Sequence, residues 1–264
     1  MSPVGAGRTR FIRGASHTAS WRRFPVRFLE GAWSRRREPD FQVQAFLLLA
    51  FFGAAAAFGH IVEDYLTGDP IVRWDVEFSG WLHQHSNPTL ISTLKVFTLL
   101  GSVPFLALLV LVATLLLLRR RQLNEAALVA FSALGIEILF AVLKLAFHRP
   151  RPELAYVHLE TYSFPSGHAS GSAAIYAVLF YLAAKRLAIR GRLLLTFAYV
   201  VLVGLIAFSR LYLEVHYLSD VLAGITLGIS WAAACLFIYE RSRGRDISGR
   251  LPRLVAQAVE RIAR

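Results

Sequence analysis

Charge is scarce in this 264-residue chain, and acidic charge scarcest: 17% of residues are charged, with 17 Asp and Glu against 29 Lys and Arg. A soluble domain averages about 25% charged residues. The chain therefore has too little charge to cover a water-exposed surface of its size, which excludes disorder and argues against an ordinary soluble enzyme. Cysteine is nearly absent. The single Cys235, set in an apolar run, excludes an intramolecular disulfide framework and a cysteine-built zinc or iron–sulfur centre. Internal repeats and low-complexity tracts are missing, as is the alternating apolar–polar pattern of an outer-membrane barrel. No short apolar segment followed by a cleavage site opens the chain, so no removable signal peptide is expected.

Apolar residues are plentiful, at 56%. Six stretches are nearly free of charge: Phe41–Gly59, Val96–Leu118, Ala126–Leu143, Thr161–Ala184, Leu193–Phe208 and Val221–Tyr239. A helix needs about 20 residues to cross a bilayer, and backbone groups in lipid must be satisfied internally. The expected fold is thus all-α, a polytopic bundle of six transmembrane helices over 41–240, flanked by basic segments at 1–40 and 241–264.

The basic residues orient this bundle. Nine Arg fall in the first forty residues, three in Arg119–Arg121, four Lys or Arg in Lys185–Arg192 and seven Arg from Arg241 onward: 23 of the 29. Threading six helices puts all of them on one side, which the positive-inside rule makes cytoplasmic, with both termini there. The net charge of +12 then reads as loops beside anionic lipid. Nucleic-acid binding is set aside, because the basic termini lack the pattern of a binding module. Ser20–Trp33 mixes Arg with Trp and Phe, as a segment lying on the inner leaflet would. Leu251, Leu254, Val255, Ala258 and Ile262 keep helical spacing, which suits an interfacial helix or a solvated tail equally.

Of the other six cations, Arg73 and Lys95 stand apart, while Lys144, Arg149, Arg151 and Arg210 fall near polar residues on the other side. Lys144 ends the third run and Arg151-Pro152 follows seven residues later. Pro165-Ser166-Gly167-His168 lies within the fourth run. Ser209-Arg210 closes the fifth, and His216 and Asp220 open the sixth. Charged groups at such depth are costly and usually functional. Lys144, Arg151 and Arg210 suit the several anionic oxygens of a phosphate. Ser166 and Gly167 stand where a loop becomes a helix, whose free N–H groups and dipole favour an anion. His216 and Asp220, four apart, share a helix face, so the carboxylate can hold the imidazole as a nucleophile or base. His168 is a second titratable group, suited to protonating a leaving oxygen. Each feature alone has a plainer reading: Lys144 as a snorkelling anchor, Pro-Ser-Gly as a turn, His216 and Asp220 as a helix start. Their convergence on one side is what points to phosphate chemistry.

Lys144-x6-Arg151-Pro152, then Pro165-Ser166-Gly167-His168, then Ser209-Arg210-x5-His216-x3-Asp220 resembles the three-part signature of the type-2 phosphatidic acid phosphatase superfamily. The resemblance implies a membrane lipid phosphate or diphosphate phosphatase. In it His216 attacks phosphorus to form a phosphohistidine, Asp220 orients it, and His168 protonates the leaving group. Lys144, Arg151, Arg210, Ser166, Gly167 and Ser209 would hold the phosphoryl oxygens. No metal or other cofactor is implied, since the cations stand where magnesium otherwise would. The implied partner is a lipid phosphate in the bilayer, with undecaprenyl diphosphate or a phospholipid phosphate favoured. A phosphotransferase sharing the intermediate and a non-hydrolytic anion transporter are the alternatives; a haloperoxidase fits a membrane chain least.

Outside the signature, Glu137 lies seven residues before Lys144, about 10 Å deeper; it is read as a hydrogen-bonding group of the bundle, or as a tuner of Lys144. His148 and His158 flank the outer loop. Glu63, Asp64, Asp69, Asp75 and Glu77, interleaved with Trp74 and Trp81, read as an amphipathic interfacial segment. Pro104 reads as a tolerated kink within the second run.

Overall fold

The computed structural model describes residues 39–68, 70–157 and 159–242. The segment 1–38, Asp69, His158 and the tail from 243 lie outside the described residues, and with them the expected interfacial stretches at Ser20–Trp33 and Leu251–Ile262. The chain divides into two units, Met1–Gln42 and Val43–Arg264. Of the first, only Pro39–Gln42 is described, as the opening turn of helix α1.

Among the described residues the chain is helical, with no strand. The helices are α1 (Pro39–Thr67), α2 (Pro70–Gln84), α3 (Pro88–Phe97), α4 (Val103–Arg119), α5 (Leu123–Phe147), α6 (Gly167–Ala184), α7 (Ile189–Tyr212) and α8 (Leu218–Ser242), with a 3-10 turn at Thr98–Gly101. Five of them, α1, α5, α6, α7 and α8, are long and apolar enough to cross a membrane alone. A sixth span is α3 plus the 3-10 turn and α4, two pieces bent by 41°. This is an integral membrane protein, and its spans follow the six charge-poor runs in order.

Two of those runs are corrected by the structure. The second is not one straight helix from Val96, because the chain breaks at Ser102, whose Oγ accepts the Phe105 N–H at 3.4 Å and caps α4. Pro104 falls in the first turn of α4, where a missing N–H costs nothing, so it starts a helix and does not kink one. The fourth run does not begin its helix at Thr161. Residues 161–166 form a loop, and α6 starts at Gly167.

Helices α6 and α8 form the centre. About half of each spanning window is buried inside the protein, 50% and 56%, against 11%, 28% and 17% for α1, α5 and α7. The outer helices turn large apolar side chains such as Phe46, Leu49, Phe197 and Val200 outward, a face stable only against lipid. Small residues set the central contact. A Cβ on Gly224 would stand 2.6 Å from the Ser166 carbonyl oxygen, and one on Gly228 2.5 Å from that of Ser170. Without a hydrophobic driving force between helices in lipid, such backbone-to-backbone approach holds them together. It also seats the Ser166 loop on the first turns of α8.

Candidate active site

The polar residues singled out along the chain meet at one end of the bundle. Helix α5 ends at His148, whose left-handed backbone (φ 48°) turns the chain sharply. That turn launches Arg149-Pro150-Arg151-Pro152, a stretch stiffened by proline φ and by the extended bias of each residue before proline. The ring of His148 lies edge-on to Tyr162 at 4.5 Å.

Arg151 crosses to the loop before α6 and to the α7–α8 loop. Its Nε donates to the Thr161 carbonyl at 2.7 Å, and one terminal nitrogen donates to the Val215 carbonyl at 2.5 Å. That nitrogen also lies 3.3 Å from His216 Nε2. His216 is itself buried, and its Nδ1 faces Asp220 Oδ2 at 3.4 Å. The facing carboxylate fixes the proton on Nδ1 and leaves the lone pair on Nε2, the nitrogen on the Arg151 side. Burial first, and then the charges of Arg210, Arg151 and Lys144, hold His216 well below its ordinary imidazole range. The ring is therefore neutral and nucleophilic at neutral pH.

Arg151 thus stands beside this imidazole, and Lys144 and Arg210 lie within electrostatic range of it. Lys144 reaches the site from the last turn of α5, its ammonium 4.7 Å from the Phe140 ring centroid. Arg210, in the last turn of α7, is buried and donates to Thr98 Oγ1 at 2.7 Å, while its Nε has no protein partner. Ser166 precedes the first residue of α6; its hydroxyl is buried, makes no capping bond and has no protein partner. Gly167 is pressed so close to Phe140 that a Cβ would stand 2.7 Å from that ring. His168, on the first turn of α6, is within electrostatic range of His216, Arg210, Lys144 and Arg151. Ser209 is buried and donates to the Ile206 carbonyl one turn back. Among the described residues, no group of three or more His, Cys, Asp or Glu is arranged to hold a metal ion.

Two residues that sequence reasoning passed over belong to this end. Arg149, counted above only as a loop charge, is 4% exposed and donates to Asp220 Oδ1 at 2.6 Å and to Asp75 Oδ2 at 2.7 Å. Asp75, read above as part of an interfacial acidic segment, is instead buried on α2 and accepts the Ser219 N–H at 2.8 Å. The amphipathic reading of α2 holds only for its outer face, where Trp74 and Trp81 stay exposed. The Arg-Pro-Arg-Pro repeat is the one local signal that could have marked Arg149. Nothing near Asp75 in sequence distinguishes it from its acidic neighbours.

One turn further along α6, Gly171 meets Leu106 and Glu137. Both line an apolar groove of about 390 Å³ between α4 and α5, walled also by Val110, Leu111, Ala133 and Leu134. Glu137 thus borders a groove open to lipid.

A helical membrane bundle with three cations, a neutral imidazole and an uncapped helix start gathered at one end has the makings of a phosphate site. Residues 125–243 match the PAP2 superfamily model. Phosphatidylglycerophosphatase B of Bacillus subtilis (strain 168) is 40% identical over 96 residues, 35% of this chain and 47% of that protein. The match therefore spans about half that relative's length. The crystal structure of the transmembrane PAP2-type phosphatidylglycerolphosphate phosphatase from Bacillus subtilis superposes with a TM-score of 0.64 at 26% identity, over 74% of this chain and 96% of that one. The crystal structure of Aquifex aeolicus LpxE gives 0.50 at 25% identity, over 62% and 94%.

Proposed function

We propose that this chain is a membrane phosphatase that removes phosphate from a lipid phosphate or diphosphate through a phosphohistidine on His216. The observation that carries this reading is a neutral His216 set among Lys144, Arg151 and Arg210, near an apolar groove that can take a lipid tail. His216 Nε2 attacks phosphorus in line as the bond to the leaving oxygen breaks, and that oxygen takes the electron pair. His168 protonates it, helped by the substrate's own negative charge, which offsets the three cations and favours an imidazolium. Water then attacks phosphorus, giving a proton to the now neutral His168, as the P–N bond breaks and its electron pair returns to Nε2. Lys144, Arg151, Arg210, Ser166, Gly167 and Ser209 are assigned to the phosphoryl oxygens. Positioning and charge stabilisation of this kind supply most of the catalysis in phosphoryl transfer.

The similarity to phosphatidylglycerophosphatase B favours a phospholipid phosphate, and undecaprenyl diphosphate shares the same chemistry with a longer tail. On purified protein, kcat/KM for these two and for phosphatidic acid should exceed that for a water-soluble phosphomonoester by at least about tenfold. The basis is that a tail in the groove adds binding energy the soluble ester lacks. Equal turnover of the soluble ester would remove the lipid assignment. A single phosphate passed to an alcohol in place of water would favour the phosphotransferase alternative.

The site end is assigned to the periplasmic or exterior face of the membrane, with the basic segments 1–40 and 241–264 in the cytoplasm, because 23 of 29 cations fall on the other side. In a Cys235→Ser background, Glu153→Cys should react with an impermeant thiol reagent in intact cells and Arg190→Cys should not. The reverse labelling would invert the topology.

A further inference from the structure

The acidic helix α2, between the first two spans, does more than coat an interface. We infer that Asp75 on α2, acting through Arg149, is a positioning residue that keeps Asp220 effective as the partner of His216. The inference rests on the phosphohistidine reading above and deepens it.

The geometry is a chain of alternating charge. Arg149 lies between the rings of Tyr65 and Tyr217, its guanidinium carbon 4.8 and 4.4 Å from their centroids. One of its terminal nitrogens donates to Asp220 Oδ1 and to Ser219 Oγ; the other donates to Asp75 Oδ2. The Ser219 hydroxyl donates in turn to Asp75 Oδ2, and the Ser219 N–H to Asp75 Oδ1. Asp220 Oδ2 accepts the Tyr217 N–H at 3.0 Å and faces His216 Nδ1. Asp75, Arg149, Ser219 and Asp220 are all buried, so their charges act on one another with little screening.

Counting charge shows why a second carboxylate is needed. Arg149 alone would hold Asp220 tightly, at 2.6 Å against the 3.4 Å to His216, and would cancel its charge. With Asp75 on the far side of the guanidinium, the trio carries one net negative charge. When Nε2 bonds to phosphorus while Nδ1 keeps its proton, the ring becomes cationic and that excess charge is matched. The trio therefore favours the phosphorylated ring over the resting one, an effect on the chemical step and not on substrate binding.

The test is steady-state kinetics of Asp75→Asn, nearly isosteric and uncharged, beside His216→Ala, Asp220→Asn and the Asp75→Asn/Asp220→Asn double variant. Asp75→Asn should lower kcat by about 10- to 100-fold, the range for outer-shell partners, with KM changed less than twofold. The double variant should be no slower than Asp220→Asn alone, because Asp75 acts only through Asp220. A merely structural Asp75 would give losses that multiply in the double variant, and that result, or an unchanged kcat, would overturn the inference. If Asp75→Asn does not fold, Ser219→Ala takes its place, removing a hydroxyl partner of Asp75 while keeping every charge. Lowered kcat at constant KM supports the inference and unchanged kcat overturns it. Full activity of His216→Ala would instead sink the phosphohistidine reading, so the two failures are distinguishable.

Discussion

His216→Ala should lower kcat by at least about a thousandfold, since a covalent route cannot run without its nucleophile. The His216 imidazole is neutral and bears a lone pair among Lys144, Arg151 and Arg210, and its Nε2 stands 3.3 Å from the Arg151 guanidinium. Alanine leaves the three cations in place, so the phosphate should still bind and KM should move little. Asp220→Asn should keep a remnant, about 10²- to 10⁴-fold below the natural chain, because the ring survives while its tautomer is no longer enforced. Phosphate release from purified protein checks both. Normal hydrolysis by the alanine variant would refute the mechanism; loss through a raised KM at constant kcat would recast His216 as a binding residue.

Gly224→Ala should damage stability and turnover together, although the residue lies away from the chemistry. Its added methyl would meet the Ser166 carbonyl oxygen at 2.6 Å and the Ala169 Cβ at 2.9 Å. The first is backbone and cannot rotate aside, so helices α6 and α8 must part or the Ser166 loop must shift. Overpacking of this kind costs about 1–3 kcal/mol. Here it would also displace the Ser166-Gly167-His168 turn, whose Ser166 N–H donates to the Asp220 carbonyl at 3.0 Å. Thermal unfolding in detergent should therefore begin at lower temperature, and kcat should fall about tenfold or more, as misplacement of about 1 Å can cost even more. Gly204, with open space around its Cβ position, is the matched control, and its alanine variant should behave as the natural chain does. Equal behaviour of the two variants would show that the α6–α8 approach does not position the site.

Spans and signature residues were readable along the chain because both are local: length, charge and spacing lie within a few turns of helix. Lys144, Arg151, Arg210 and His216 come together as that spacing implies. The boundaries were less legible. Thr161–Pro165 carries no charge and so joins the apolar run of α6, although its backbone is a loop tied to Arg149 and Arg151 through Ser163 and Thr161. Asp75 was invisible for a different cause. Its partner is 74 residues away, and in sequence it sits in an acidic, Trp-bearing stretch whose periodicity fits a membrane surface equally well. Only packing of α2 against the bundle, through Leu82 beside Leu94 and Tyr212, turns that carboxylate inward.

The Arg149-Pro150-Arg151-Pro152 segment works as a caliper. Its two guanidinium jaws close on the same dyad, one on the Asp220 carboxylate and one beside the His216 ring. Proline stiffens the backbone between them, so the two arginines leave the main chain at a fixed spacing. The cation on the nucleophile's carboxylate partner and the charge beside the nucleophile are thus both delivered by one four-residue stretch at the α5 terminus.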